Sequence, residues 1–189
     1  MKAGARALGV AESYRGEHST LAGAVVRADR VLDGLVFGTC TVGGTDATDA
    51  DRSLVDRLDR PDVRYLLVAG IAPAWFNVLD LRALREAVGR PVISVSFEES
   101  PGLADAIRDA FAGEAAARRL DTYRAQPPRR EVGIGEDSLF VRSVGIDDAA
   151  AADVVRAFTP AGGRPEPVRV ARLAARAADA FRAGGPGRA

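Results

Sequence analysis

The chain has 189 residues, 47% of them hydrophobic, a formal net charge of zero and a single cysteine, Cys40. These values are typical of one globular domain, and they exclude a uniformly basic chain, an intramolecular disulfide and a cysteine-rich zinc site. No apolar run is long enough to cross a bilayer, and residues 1–9 lack the apolar core of a signal peptide, so the sequence predicts a cytoplasmic protein without a membrane partner.

Three predicted strands open the chain and are joined by short turns. They lie at residues 8–13, 20–27 and 31–42. Because a parallel pair needs a longer crossover, strands connected in this way must run antiparallel. The sheet segment then ends at Gly43 and Gly44, and Thr45 is the predicted N-cap of a helix over residues 46–58.

The pattern then changes to alternating strands and helices. Strands are predicted at residues 63–68 and 92–97, and helices at 78–88 and 103–111. Such crossovers place the two strands parallel, and the apolar run at 63–68 indicates a central strand that is covered on both faces. An antiparallel three-stranded meander followed by a parallel βαβ unit is the order of a ribonuclease H-like mixed sheet. The predicted fold class is therefore α/β, with helices on both faces of that sheet.

The last third of the chain is predicted to complete the same domain. The proline-containing segment 126–130 is predicted to break the chain at the surface. A strand is predicted at residues 138–144, and helices at 114–124, 147–158 and 166–182. The single domain is predicted to cover residues 1–184, and the Gly-Pro-Gly tail at 185–189 is predicted to be disordered.

Two acidic residues are candidate catalytic residues and metal ligands. A ribonuclease H-like sheet holds divalent metal between carboxylates on its first strand, first helix and fourth strand, where one or two ions stabilise in-line attack of water on a phosphodiester. Glu12 lies near the end of the first strand, and Asp46 opens the first helix. The alternative for each is a solvated structural charge. Ala69 occupies the end of the fourth strand, where a further carboxylate could have stood.

The loop after the fourth strand contains aromatic and polar residues. Ligands of open α/β sheets bind beyond the carboxyl ends of the strands, so this loop is a candidate site. Trp75 is a candidate stacking platform for a nucleotide base, and the alternative is packing in the core. Asn77 is grouped with it as a candidate nucleic-acid contact, and the alternative is that Asn77 caps the next helix.

Five arginines are candidate contacts to a phosphate backbone. Three fall at i, i+3 and i+7 of the last predicted helix and two lie in the proline-containing segment: Arg169, Arg172, Arg176, Arg129 and Arg130. The opposite face of that helix carries apolar residues, Leu173 and Phe181 among them. The alternative is a solvated helix face in an arginine-rich chain.

Several segments of the chain resemble one protein family. They are residues 6–13, 41–48, 69–80 and 90–96, with the sequences RALGVAES, TVGGTDAT, AGIAPAWFNVLD and RPVISVS. These segments look like an archaeal domain family of unknown function that is related to endonuclease V and is labelled endonuclease dU. The resemblance extends over at least residues 6–111. The sequence RPEPVR at residues 164–169 is similar to the haloarchaeal branch of that family.

The resemblance implies a ribonuclease H-like fold and cleavage of DNA at a deaminated base, deoxyuridine or inosine, with Mg²⁺ or Mn²⁺ as the cofactor. Asp46 matches the family pattern, and Glu12 is a partial substitute for the Asp pair of the first strand. Gly43 and Ala69 stand where the family has the Asp of an Asp-Gly pair. The alternative function is a nucleic-acid-binding or regulatory module on the same fold whose metal site has been lost. The sequence leaves the oligomeric state open.

Overall fold

A computed structural model describes residues 1–184 of the chain, and the predicted tail at 185–189 lies outside the described residues. The strands are β1 (Arg6–Tyr14), β2 (His18–Arg27), β3 (Leu32–Thr41), β4 (Val63–Ala69), β5 (Val92–Ser96), β6 (Arg130–Ile134) and β7 (Asp137–Val144). The helices are α1 (Ala47–Leu58), α2 (Pro73–Phe76), α3 (Leu81–Val88), α4 (Ala104–Ala110), α5 (Gly113–Arg124), α6 (Asp148–Ala157) and α7 (Glu166–Gly184). Within residues 1–184, no helix is both long and apolar enough to cross a membrane.

The seven strands form one mixed sheet in the order β3-β2-β1-β4-β5-β7-β6. β1 pairs antiparallel with β2 and parallel with β4, and β4 pairs parallel with β5. β7 pairs antiparallel with both β5 and β6. The predicted α/β class is confirmed: an antiparallel meander is followed by a parallel βαβ unit, with the first strand beside the fourth, in the ribonuclease H-like arrangement.

Helices cover the sheet on both faces, and β1 sends alternate side chains to each of them. Leu8 and Val10 pack with α1 and α3, whereas Ala7 and Ala11 pack on the face covered by α6 and α7. By the same period-two alternation, Glu12 projects to the α1 face. The α1 face is therefore the one on which a carboxylate of β1 meets the first helix.

The start of α3 differs from the prediction. The predicted helix began at residue 78, but α3 begins at Leu81. The Asp80 carboxylate accepts hydrogen bonds from the backbone N–H groups of Arg82 and Ala83, 2.9 and 3.0 Å away. Because these bonds satisfy orphan donors of the first turn, Asp80 fixes the helix start.

Two other boundaries also differ from the prediction. α1 begins at Ala47, with Asp46 and not Thr45 at the N-cap position. The segment 126–130, predicted as a surface break, leads directly into the edge strand β6, which the sequence analysis missed. β6 has only five residues, and three of them, Arg130, Glu131 and Gly133, are exposed. Its apolar pattern is therefore weak.

Helix α7 approaches the sheet closely at Gly9 of β1. A Cβ at this position would lie 2.1 Å from the carbonyl carbon of Pro167 and 2.4 Å from the backbone nitrogen of Val168. No real Cβ occupies such a position, so the first turn of α7 rests directly on the backbone of β1. Gly9 is therefore required by packing and not by its backbone dihedrals.

The buried face of α7 is not the face with the largest apolar residues. Leu173 and Phe181, which lie opposite the arginines in the sequence pattern, are 55% and 77% exposed. The buried row consists of Pro167, Val168, Ala171, Ala175 and Asp179. The two alanines of this row suit a helix that packs closely on the sheet.

Candidate functional site

A narrow crevice lies among β1, β4 and α1, on the α1 face of the sheet. Its lining residues are Val10, Ala11, Glu12, Leu21, Asp51, Val68, Ala69, Pro73 and Leu79. Its volume, ≈ 10 Å³, is about that of one water-sized particle. Glu12 and Asp51 are the two carboxylates in an otherwise apolar wall, so the crevice combines a small space with two negative charges.

Asp51 is the site residue that the sequence analysis missed. It lies in the buried row of α1 with Ala47, Leu54 and Val55 and is 3% exposed. The hydrogen bonds and ion pairs among residues 1–184 include none to its carboxylate, and burial raises its pKa to about 7. An acid whose i−4, i+3 and i+4 neighbours are all apolar is the signal that could have found it.

Glu12 faces the same crevice from β1. Its Oε2 accepts a hydrogen bond from the Ser19 hydroxyl at 2.6 Å. The buried thiol of Cys40 lies nearby: burial, followed by the charges of Asp46, Asp51 and Glu12, raises its pKa to about 12. The thiol therefore remains protonated at neutral pH and is a poor metal ligand. The carboxylates are the groups available for a cation here.

Asp46 does not line the crevice, because its carboxylate is engaged inside the protein. Its oxygens accept hydrogen bonds from the Thr41 N–H at 3.1 Å, the Thr41 hydroxyl at 2.9 Å and the Asn77 amide at 2.6 Å. Burial raises the pKa of Asp46, but the bonds from Asn77 and Thr41 outweigh it, so the pKa lies below its usual range. The structure thus brings Glu12 together with Asp51, and Asp46 joins the end of β3 to the start of α1.

Asn77 is fully buried, and both ends of its amide are used inside the protein. Its Nδ2 donates to the Thr41 carbonyl at 2.9 Å and to Asp46, and its Oδ1 accepts from the Ala47 N–H at 2.9 Å. It therefore caps α1 from across the loop and not the following helix, which Asp80 caps. Because the amide is buried, Asn77 has no exposed group for the predicted contact with nucleic acid.

Trp75 lies in an unusual turn after β4. The φ angles of Ala74, Trp75 and Phe76 are 47°, 58° and 56°, so three consecutive non-glycine residues are left-handed. Such a conformation costs about 1–2 kcal/mol per residue, and strain of this kind clusters at functional sites. Trp75 is 54% exposed. The structure therefore presents its indole to solvent, and the core-packing alternative does not hold.

A buried arginine holds this left-handed turn in place. Arg119 is 5% exposed, and its guanidinium donates to the carbonyls of Phe76 at 3.1 Å, Gly44 at 3.0 Å and Gly43. The same group lies 3.8 Å from the centre of the Phe111 ring. Burial lowers the pKa of Arg119. The Arg119 side chain thus links the loop at Gly43 and Gly44 to the left-handed turn. These contacts hold the backbone that carries Trp75 in place.

The five candidate arginines are placed differently. Arg130 is ion-paired with Asp148, and Arg169 is ion-paired with Glu166 at 2.7 Å. Their charges are therefore already balanced within the chain. Arg129 lines a larger cavity beyond the ends of β4 and β5, apart from the crevice.

Arg172 and Arg176 are adjacent cations on α7. Burial, followed by the positive charges of Arg176 and Arg164, lowers the pKa of Arg172, and the charge of Glu12 acts in the opposite direction. Three arginines therefore share one region of α7 and its preceding turn, and the charge of Arg172 also interacts with that of Glu12. This is a local basic patch in a chain of zero net charge.

The sheet order defines the class: this protein has a ribonuclease H-like α/β fold, with an acidic crevice between β1, β4 and α1. The model of one family, described as endonuclease dU, matches residues 3–179. The chain belongs to that family.

Similar proteins agree with this assignment. The chain is 35% identical over 175 residues to a UPF0215 protein of Pyrobaculum calidifontis, covering 89% of this chain and 93% of the relative. It matches the crystal structure of a protein of unknown function from Archaeoglobus fulgidus with a TM-score of 0.82 and 24% identity, covering 92% and 98% of the two chains. It also matches Ciona intestinalis endonuclease V, in complex with DNA containing an inosine, with a TM-score of 0.58 and 14% identity, covering 92% and 85%. The structural matches show the shared fold, and membership of the haloarchaeal branch stays a prediction.

Proposed function

We propose that this protein is a divalent-metal-dependent endonuclease of the cytoplasm that cleaves DNA at a deaminated base, deoxyuridine or inosine, in DNA repair. The observation that carries the proposal is the pair of carboxylates, Glu12 and Asp51, that line one crevice beside the end of β4. The family description and the inosine-containing DNA bound by the Ciona protein support the substrate class.

The crevice suits Mg²⁺ or Mn²⁺. Within the described residues, no group of three or more His, Cys, Asp or Glu side chains is arranged to hold a metal. Magnesium, however, is commonly held by one or two carboxylates. The crevice has room for about one ion, so water and substrate phosphate would complete the metal's shell outside it. The Asp51 carboxyl is buried and accepts no hydrogen bond within the described residues, so a nearby cation would strongly favour its ionised form. The bound metal would stabilise charge on the phosphodiester during attack by water.

The remaining site residues have separate proposed roles. Glu12 and Asp51 hold the cation, and Asp46 holds the start of α1 so that Asp51 faces the crevice. Trp75 stacks on a base from its rigid left-handed turn. Arg172, whose charge interacts with that of Glu12, and the neighbouring Arg176 attract the phosphate backbone.

A second candidate function is a DNA-binding module that does not cleave. One observation favours it: Ala69 lines the crevice at the end of β4, so the fourth strand contributes no carboxylate. The Trp75 turn and the α7 arginines would serve binding equally well without a metal.

A nicking assay on uracil-containing and inosine-containing duplexes with Mg²⁺ distinguishes these functions. We expect the wild-type protein to nick and Asp51→Asn to lose nicking while keeping its DNA affinity, since the arginines supply most of that affinity. Asp49→Asn, a change of an exposed acid two residues away on the same helix, is the matched control and should nick normally. A chain that nicks only after Ala69→Asp is a binding module. Wild-type nicking that survives Asp51→Asn would contradict the proposed site.

A further inference from the structure

A cavity that the proposed function does not explain lies beyond the carboxyl ends of β4 and β5, with a volume of ≈ 260 Å³. It begins at Gly70, the residue that follows Ala69 of the crevice, so the two spaces are neighbours. Its polar lining includes Ser94, Ser96, Tyr123, Arg129 and Arg142. None of these residues takes part in the proposed metal site.

Two arginines in this cavity lack an acidic partner. Arg129 donates to the backbone carbonyls of Ser100 and Glu98, and Arg142 donates to the backbone carbonyl of Pro127. Among the described residues neither forms an ion pair, and the Nε of Arg129 is buried without a hydrogen-bond partner. The Glu98 carboxylate also lines the cavity but pairs with neither of them.

Burial of these charges makes an anion favourable here. Burial lowers the pKa of Arg142; the phenol of Tyr123 acts in the opposite direction, and the charge of Arg129 lowers the pKa further. Two guanidinium groups that repel each other in a partly desolvated space are stabilised by an oxyanion between them. A guanidinium fork also matches the oxygens of a phosphate in a bidentate arrangement.

Each of the two arginines lies beside an aromatic ring of the cavity lining. The guanidinium of Arg129 lies 3.9 Å from the centre of the Phe140 ring, and that of Arg142 lies 5.8 Å from the centre of the Tyr123 ring. Arg129 therefore covers a face of the Phe140 ring, which disfavours a base stacked on that ring. Ser94 adds a hydroxyl: it is 3% exposed and forms no side-chain hydrogen bond within residues 1–184.

We propose that this cavity is a phosphate-binding subsite, in which Arg129 and Arg142 hold a phosphate group and Ser94 donates a further hydrogen bond. The inference deepens the proposed function and rests on it only for the identity of the ligand as a nucleic acid. Two sources share this chemistry: an internal phosphate of the DNA backbone and a 5′-terminal phosphate. Both would lie next to the cleavage crevice, because Gly70 follows Ala69 directly.

Titration with inorganic phosphate in the absence of divalent metal tests the subsite. We expect the wild-type protein to bind phosphate, and Arg129→Gln and Arg142→Gln each to weaken binding at least tenfold, since each loses a charge-assisted pair of hydrogen bonds. Arg118→Gln is the matched control, because Arg118 is an exposed arginine ion-paired with Glu114 on α5. Circular dichroism establishes that each variant is folded. If Arg142→Gln fails to fold, Ser94→Ala should still weaken phosphate binding.

Oligonucleotides identify the source of the phosphate. Matched single strands with and without a 5′-phosphate should differ in affinity if the subsite takes a terminal phosphate, and should bind equally if it takes an internal one. In the first case, Arg142→Gln should reduce the preference for the 5′-phosphorylated strand. In the second case, it should reduce the affinity for both strands. Equal phosphate binding by the wild-type protein and both arginine variants would overturn the proposal. Because Asp51→Asn should keep its phosphate affinity, a failure of the metal site is distinguishable from a failure of the subsite.

Discussion

At the scale of single residues, Asp51 gives the protein an unusual dependence of stability on pH. Burial raises the pKa of its folded-state carboxyl from 3.8 to about 7. Between pH 4 and pH 7, the unfolded chain releases this proton while the folded chain retains it. The free energy of unfolding therefore falls as the pH rises through this window, by as much as about 4 kcal/mol for a shift of three pKa units.

Asp51→Asn should remove this fall. We expect the variant to gain stability relative to the wild-type protein as the pH rises from 4.5 to 7.5, measured by urea unfolding without divalent metal. Asp49→Asn should follow the wild-type profile. Carboxyls with lowered pKa values, such as those of Asp33 and Asp62, act below this window, because their stabilisation is lost only as the pH falls through their folded pKa values. Identical pH profiles for the wild type and Asp51→Asn would show that Asp51 is not held in a desolvated state.

Trp75 makes a second prediction at this scale. Because its side chain is 54% exposed, Trp75→Ala should leave the melting temperature nearly unchanged. Its affinity for single-stranded DNA should fall by roughly 1–3 kcal/mol, the value of one stacked base. Fluorescence anisotropy with a labelled strand, beside a thermal melt, measures both quantities. A loss of several degrees in melting temperature with unaltered DNA affinity would assign the indole a structural role.

The candidate site was partly predictable at the level of residues. Glu12 follows from its place at the end of an apolar strand, and Trp75 from its place in a loop beyond a strand end. Asp51 was missed because acids on a helix are usually solvated, and only the apolar neighbours Leu54 and Val55 reveal that this one faces inward. The role of Asp46 depends on Asn77, 31 residues away, and no local pattern encodes that contact.

At the scale of elements, the contact between α7 and β1 depends on Gly9. Gly9→Ala would place a Cβ 2.1 Å from the backbone of Pro167, so the helix must move. We expect the free energy of unfolding to fall by about 1–3 kcal/mol, the usual cost of overpacking.

Gly133→Ala is the control for this prediction. Gly133 lies in β6, and a Cβ there would have no heavy atom within 4 Å. Urea unfolding should therefore show a large decrease in midpoint for Gly9→Ala and little change for Gly133→Ala. Equal midpoints for the two variants would mean that α7 does not rest on β1 as described.

The fold was predictable from local patterns where those patterns were strong. Short turns forced the first three strands to be antiparallel, and the apolar run at 63–68 predicted the central position of β4, which the sheet order confirms. The buried face of α7 was not predictable, because apolar residues occur around most of the helix and the choice is made by Gly9 on another element. The start of α3 was also missed, because Asp80 competes with Asn77 as a cap and only packing decides between them.

At the scale of the whole molecule, three features meet at the carboxyl end of β4. Ala69 lines the acidic crevice, Gly70 lines the cavity of the proposed phosphate subsite, and the left-handed turn with Trp75 follows within six residues. This placement follows from the sheet order, because β4 lies between β1 and β5. A metal, a phosphate and a base could thus be bound side by side by one short stretch of chain and the strands beside it.

The central claim is that Glu12 and Asp51 form one metal site, and calorimetric titration of Mn²⁺ and Mg²⁺ at pH 8 tests it most directly. We expect one ion per wild-type chain, with affinity at least tenfold lower in Glu12→Gln and in Asp51→Asn, since each loses a charged ligand. Asp49→Asn should bind as the wild-type protein does. Absence of metal binding, or binding that Asp51→Asn leaves unchanged, would contradict the account, and binding lost in Asp46→Asn but kept in Asp51→Asn would instead assign the site to Glu12 and Asp46.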